Sequence, residues 1–233
     1  GESVVGFWTK GKKQRIYESR VNNTRLLVQN IAKLEPNKRP RLLISASAVG
    51  YYGDRGEEEL DESAPPGKGF LAEVCIDWEK EAMAAEALGL RVVCLRIGLV
   101  MSSKGGALRS ILPIAKAGLF GPIGSGKQFW PWIAIDDVIR GIEFVMSNED
   151  LRGPINLVAP SPLRQGSFAQ ALGKSIGRPS FLPTPAWAVR FALGGFSDEL
   201  LWSRRVVPAA LNRAGFSFRY PRLEEALAHL IST

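Results

Sequence analysis

RLLISASAVGYYGD, residues 41–54, decides the fold. It opens as a short apolar run, Leu42, Leu43 and Ile44, and closes on the small residues Ser45, Ala46, Ser47 and Ala48. A run this short, without polar alternation, reads as a strand buried on both faces. Such strands belong to parallel sheets covered by helices. The chain then breaks at Gly50-Tyr51-Tyr52-Gly53-Asp54. LRVVCLRIGLVM (90–101) predicts a second buried strand, and GPINLVA (153–159) a third. Upstream, residues 14–34 carry Ile16, Val21, Leu26, Leu27, Ile31 and Leu34 at helical spacing, and Pro36 follows as a stop. Between the first two strands the pattern is helical again from Phe70 to Leu88, and Gly89 suits the left-handed position that ends a helix. Further helices are expected over 102–118, from about Asp136 to Met146, over 166–176 and through the C-terminal region 185–230. Helices alternating with buried strands require crossover connections and hence a doubly wound α/β sheet. Ligands of such sheets bind at the carboxyl ends of the strands. The candidate stretches are therefore Ser45–Tyr52, Arg96–Met101 and the loop around Gly124–Trp132.

Composition sets outer limits. The 233 residues, 45% hydrophobic and 23% charged, suffice for one large or two small domains. No apolar run reaches the roughly 18 residues of a membrane span. Two cysteines without a C-x-x-C pair, and a single histidine, argue against a zinc site and against Ser-His-Asp chemistry. The cysteines read as free thiols of a reducing compartment. The net charge of +7 is scattered except at KGKK (10–13) and NKRP (37–40). No recognition motif accompanies it, so nucleic acid is not the expected partner.

GPIGSGKQFWPWIAIDDV (121–138) comes close to a phosphate-binding P-loop, but two features exclude that reading. Gln128 stands where a Ser or Thr hydroxyl would hold Mg²⁺, and the loop runs into an aromatic, proline-interrupted strand instead of a helix. Its helix begins only at Asp136-Asp137, where aspartate is a good N-cap.

Taken in order, ISASAVGYYGD, FLAEVCIDWEKEA, VVCLRIGLV, GPIGSGKQFWPWIAIDDV and GPINLVAPSP resemble the extended short-chain dehydrogenase/reductases, the NAD-dependent epimerase/dehydratase family. The tail VVPAALNRAGFSFRYPRLEEAL is similar to the domain of unknown function appended in one atypical subgroup, some members of which carry a cell-division-inhibitor label. The resemblance implies a Rossmann-like domain over 1–160, without its first strands and glycine fingerprint, and a helical substrate-side region over 161–233. It implies NADP(H) rather than NAD along the strand ends. Gly1, Glu2, Ser45, Ala46, Ser47, Arg96, Ile97, Gly98 and Leu99 would lie by the cofactor. Tyr52, Gly124, Gln128, Trp130 and Trp132 would lie by a small-molecule substrate, with a nucleotide sugar as the family precedent.

Ser47 matches the family's catalytic serine, but Leu71 and Cys75 fall where its Tyr and Lys stand, and Arg20 where its Asn stands. Tyr51 and Tyr52, just past Ser47, are the alternative phenols, and Arg204 and Arg205 are further candidates for a phosphate. The resemblance leaves three readings open: an oxidoreductase or epimerase with an altered catalytic set, a non-catalytic nucleotide sensor or scaffold of cell or plastid division, or a fold remnant with no cofactor site of its own. Cytoplasm or an organelle interior is the expected location. An open sheet edge would favour a homodimer.

Overall fold

A computed structural model describes residues 1–232. The first helical segment comprises α1 (Lys10–Tyr17) and α2 (Asn23–Ala32), joined by a π-helical turn at Glu18–Asn22. The apolar spacing of 14–34 predicts one helix. The π turn interrupts it by inserting an extra residue into the hydrogen-bond ladder, a device common at functional sites. Then follow β1 (Leu42–Ala48), β2 (Glu59–Leu60), α3 (Phe70–Met83), β3 (Arg91–Ile97), β4 (Leu99–Met101) and α4 (Gly106–Lys116). The middle of the chain supplies β5 (Phe129–Trp130), β6 (Trp132–Ala134), α5 (Ile135–Ser147) and β7 (Gly153–Leu157). The rest is β8 (Leu163–Arg164), α6 (Gln165–Ser175), α7 (Ala186–Leu193), α8 (Ser197–Leu201), β9 (Arg205–Val206), α9 (Ala209–Arg213) and α10 (Leu223–Ser232).

The central sheet runs β1-β3-β7, all parallel. Alternate residues of β3 feed opposite layers. Val92 and Cys94 pack with Val28, Ile31 and Ala82 of the α2–α3 layer. Val93 and Leu95 pack with Val138, Val145 and Leu211 of the α5–α9 layer. Burial on both faces is why β3 reads as an unbroken apolar run. The same expectation for β1 needs correction: it ends the described sheet, Leu42–Ile44 are only half-buried and Ala46 is exposed. Arg91 Nη1 closes the C-terminus of α5, donating to the carbonyls of Val145, Asn148 and Leu151 at 2.9–3.1 Å.

Two further expectations need correction. Residues 90–101 form two strands, not one. Gly98 separates them, and a Cβ there would stand 2.6 Å from the Pro131 carbonyl oxygen. Leu99 N–H donates to that same oxygen at 2.6 Å, so the chain leaves the central sheet and β4 pairs with β6. The aspartates of α5 do not cap it: its N-cap is Ala134 and both lie in the first turn. Asp137 is wholly buried and accepts instead from the backbone N–H groups of Arg219 and Tyr220, at 2.7 and 2.8 Å. That tie holds the C-terminal segment against α5. The helical tail shares one core with the preceding loops: Phe168, Leu172, Leu223 and Leu227 pack with Met101, Leu108, Trp130 and Trp132.

Candidate active site

The carboxyl ends of β1 and β3 present different chemistry on their two faces. Behind the strands lies a buried polar network. Ser47 Oγ donates to Glu79 Oε1 at 2.6 Å. Arg96 binds Glu79 through two hydrogen bonds, Nε to Oε1 at 2.9 Å and Nη2 to Oε2 at 2.8 Å. Arg96 Nη1 donates to the Tyr52 hydroxyl at 2.9 Å, and that hydroxyl donates to Asn156 Oδ1 at 2.7 Å. The Tyr51 ring covers the guanidinium at 3.5 Å. Side chains from β1, α3, β3, β7 and the turn after β1 are thereby joined. Arg96 is only 3% exposed. Burial opposes its charge, but the bonds to Glu79 outweigh that and raise its pKa. Burial also pushes the Tyr52 phenol up to about 12, against the pull of Arg96 and Asn156. At neutral pH Tyr52 is therefore a neutral donor and not a phenolate.

In front lies a cleft of about 520 Å³, walled by Ala48–Gly50, Ile97–Leu99, α4, Trp130-Pro131 and the segment from Phe196 to Arg204. Val4 and Val5 close another side, ahead of Phe7 and Trp8, which pack on Gly194 and Gly195. The lining is mainly apolar. Its charged members, Glu199 and Arg204, are paired: Nη1 and Nη2 donate to the carboxylate at 3.0 and 2.7 Å, and Nε to the Gly53 carbonyl at 2.8 Å.

The candidate residues divide between these settings. Gly98, Ile97, Leu99 and Trp130 line the cleft. Ser45, Ser47, Arg96 and Tyr52 are buried. Ser45 Oγ is spent on the Ala46 carbonyl at 3.1 Å. Ala46 is exposed and, like Ser47, is not part of the cleft lining. Gly1 and Glu2 sit by the π turn, in a separate shallow recess with Ser19 and Asn22. Glu2 is tied there to Lys12 at 2.7 Å. Gly124 and Gln128 shape the loop beside the C-terminal segment. Gly124 takes φ +60°, and Gln128 Nε2 donates to the carbonyls of Ile123 and Leu200 at 2.9 and 3.0 Å. Trp132 packs in the C-terminal core with its indole N–H unpartnered. Leu71 and Cys75 lie behind Gly50, whose added Cβ would meet them at 3.5 and 3.9 Å. Burial pushes the Cys75 thiol up to about 12, so it is neither a thiolate nor a substitute for an ammonium group.

Sequence reasoning missed Val4, Ser110, Ile111, Phe196 and Leu200 as cleft residues. Only the helix-opening Gly105-Gly106, a few residues past the end of β4, was a usable signal, since glycines let a chain approach a ligand closely.

A parallel sheet with helices on both faces and a cleft at its strand ends defines a Rossmann-like nucleotide-binding architecture. The chain belongs to the NAD dependent epimerase/dehydratase family, whose sequence pattern matches residues 5–157; a domain of unknown function (DUF1731) matches 184–230. An epimerase family protein of Mycobacterium bovis is 40% identical over 223 residues, 95% of this chain and 73% of that protein. A chloroplastic homolog of epimerase family protein SDR39U1 from Arabidopsis thaliana is 39% identical over 220 residues, 94% of this chain and 63% of that protein. Among solved structures, human epimerase family protein SDR39U1 with NADPH superposes with a TM-score of 0.91 at 30% identity, covering 100% of this chain and 80% of that one.

Proposed function

We propose that the cleft between Ala48–Gly50 and Ile97–Leu99 holds the nicotinamide end of NADP(H), and that the protein is an oxidoreductase or epimerase-type enzyme acting on a small molecule. The observation that carries this reading is the position of the 520 Å³ cleft at the carboxyl ends of β1 and β3, where the fold binds its ligands. The human relative solved with NADPH supports the phosphorylated cofactor. The residues suit a flat ring: Gly98 lets the backbone turn close to Pro131, and Val49 and Leu99 offer apolar surface. Bound there, the cofactor would supply or accept a hydride. The chain's part is to offer the ring an apolar wall and to hold α3 against β1 and β3 through Glu79, which binds both Ser47 and Arg96.

A second reading, a nucleotide sensor without turnover, draws on the same site. Leu71 cannot carry a proton, Cys75 holds its proton, and Ser47 has given its only hydrogen to Glu79. Titrating the chain with NADPH, with energy transfer from its tryptophans as readout, tests the cofactor site. Oxidation of NADPH in the presence of carbonyl compounds separates the readings: turnover supports the enzyme, and saturable binding with no turnover across a broad panel supports the sensor. Absence of NADPH binding by the folded chain contradicts both.

A further inference from the structure

A substrate for this cleft presupposes the cofactor site proposed above. Next to a nicotinamide at Ile97–Leu99, the wall offered to a second molecule consists of Ile111 from α4, Trp130, Phe196 and Leu200. None of these can neutralise charge. Arg204 is the one cation in the lining among the described residues, and it is 3% exposed. Its partner Glu199 cancels its charge through two short bonds. A nucleoside-diphosphate sugar would bring anionic phosphates to this wall. Either they would be desolvated without a counter-charge, or they would draw Arg204 away and leave Glu199 unpaired. Both courses are costly.

A neutral oxygen meets no such obstacle. A guanidinium carries five N–H donors. Three of Arg204's are spent, on Glu199 and the Gly53 carbonyl. The remainder suit a carbonyl or hydroxyl oxygen, and the apolar wall suits the body of such a molecule. We propose that the cleft takes an uncharged, mainly apolar carbonyl compound, or the alcohol formed from it, and not a nucleoside-diphosphate sugar. In the reduction, the carbonyl carbon gains a hydride from the reduced cofactor and the oxygen gains a proton from water. The cofactor is left oxidised and the product is the alcohol.

Calorimetric titration of the full chain, with and without saturating NADPH, tests this using 1-tetralone and UDP-glucose as probes. Saturable binding of 1-tetralone is expected, with UDP-glucose weaker by at least about tenfold. Phe196→Arg, which puts an unpaired cation in the wall, should weaken 1-tetralone by about tenfold and strengthen UDP-glucose. Phe196→Ala should weaken the ketone without helping the nucleotide, and circular dichroism confirms that both variants fold. UDP-glucose binding the more tightly to the unaltered chain overturns the proposal. So does failure of both probes to bind, or ketone binding that Phe196→Arg leaves unchanged. Failure of NADPH to bind is a separate outcome: it overturns the cofactor reading, while ketone binding to the cofactor-free chain still reports on the wall.

Discussion

The two faces of the β1 and β3 ends carry opposite chemistry within one turn of chain. Behind them, Ser47, Glu79, Arg96, Tyr52 and Asn156 form a buried network in which each member has a partner. In front, Ala48–Gly50 and Ile97–Leu99 present a nearly apolar wall. The polar residues that most resemble catalytic groups hold the layers together, and the bland residues form the cleft. Polarity at a strand end therefore marks a ligand site only when the side chain faces the open side.

The network gives the largest expected effect. Glu79→Ala leaves the Arg96 charge buried and unpaired and should cost about 3–5 kcal/mol in urea unfolding. Glu79→Leu combined with Arg96→Met should recover most of that loss, because burying a well-packed apolar pair avoids the desolvation penalty. If the single change costs less than about 1 kcal/mol, the network does not hold the layers.

Asp137→Ala removes a buried acceptor of two partly buried N–H groups of the C-terminal segment and should cost about 1–3 kcal/mol. Increased protease cleavage near residue 219 would locate the loosening, whereas unfolding of the whole chain at once would place Asp137 in the main cooperative unit.

Alkaline pH sharpens the contrast further. Burial raises the thiols of Cys75 and Cys94 from 9.0 to about 12, and the Tyr52 phenol from 10.0 to about 12. The unfolded chain loses these protons first, so it binds fewer protons than the folded state in this range. Stability is fully present below about pH 9 and should fall between pH 9 and 12. Cys94→Ala should flatten that fall, as followed by urea unfolding at stepped pH. At the small end, Glu57→Gln breaks a pair with Arg164 that is 68% and 40% exposed, and should leave the urea unfolding midpoint nearly unchanged.

Much of the fold was legible because strands of the central sheet leave a strong apolar imprint, whether buried throughout as in β3 or half-buried as over Leu42–Ile44. Leu42–Ile44 and Val92–Leu95 are apolar at every position, and Gly89 takes the left-handed conformation its place suggested, φ +86°. The breaks were not legible. The π turn at Glu18–Asn22 preserves the apolar spacing on either side, and Gly98 interrupts a run whose composition does not change. The two-residue pairing of β2 with β9 joins segments far apart in sequence and too short to show a period. At the site, Gly98, Leu99 and Trp130 were identifiable from their place after strands. The side to which Ser47 turns depends on strand register and on Glu79, one layer away, which no local pattern reveals.

The most direct measurement compares NADPH affinity in Gly98→Val and Ser47→Ala, both checked for folding. Valine at 98 would force a Cβ to within 2.6 Å of the Pro131 carbonyl and displace the cleft wall. At least about tenfold weaker binding is expected for Gly98→Val, and a change below about twofold for Ser47→Ala despite its lower stability. Strong loss with Ser47→Ala and little with Gly98→Val would contradict the cleft site, placing the cofactor on the polar network instead of the apolar wall.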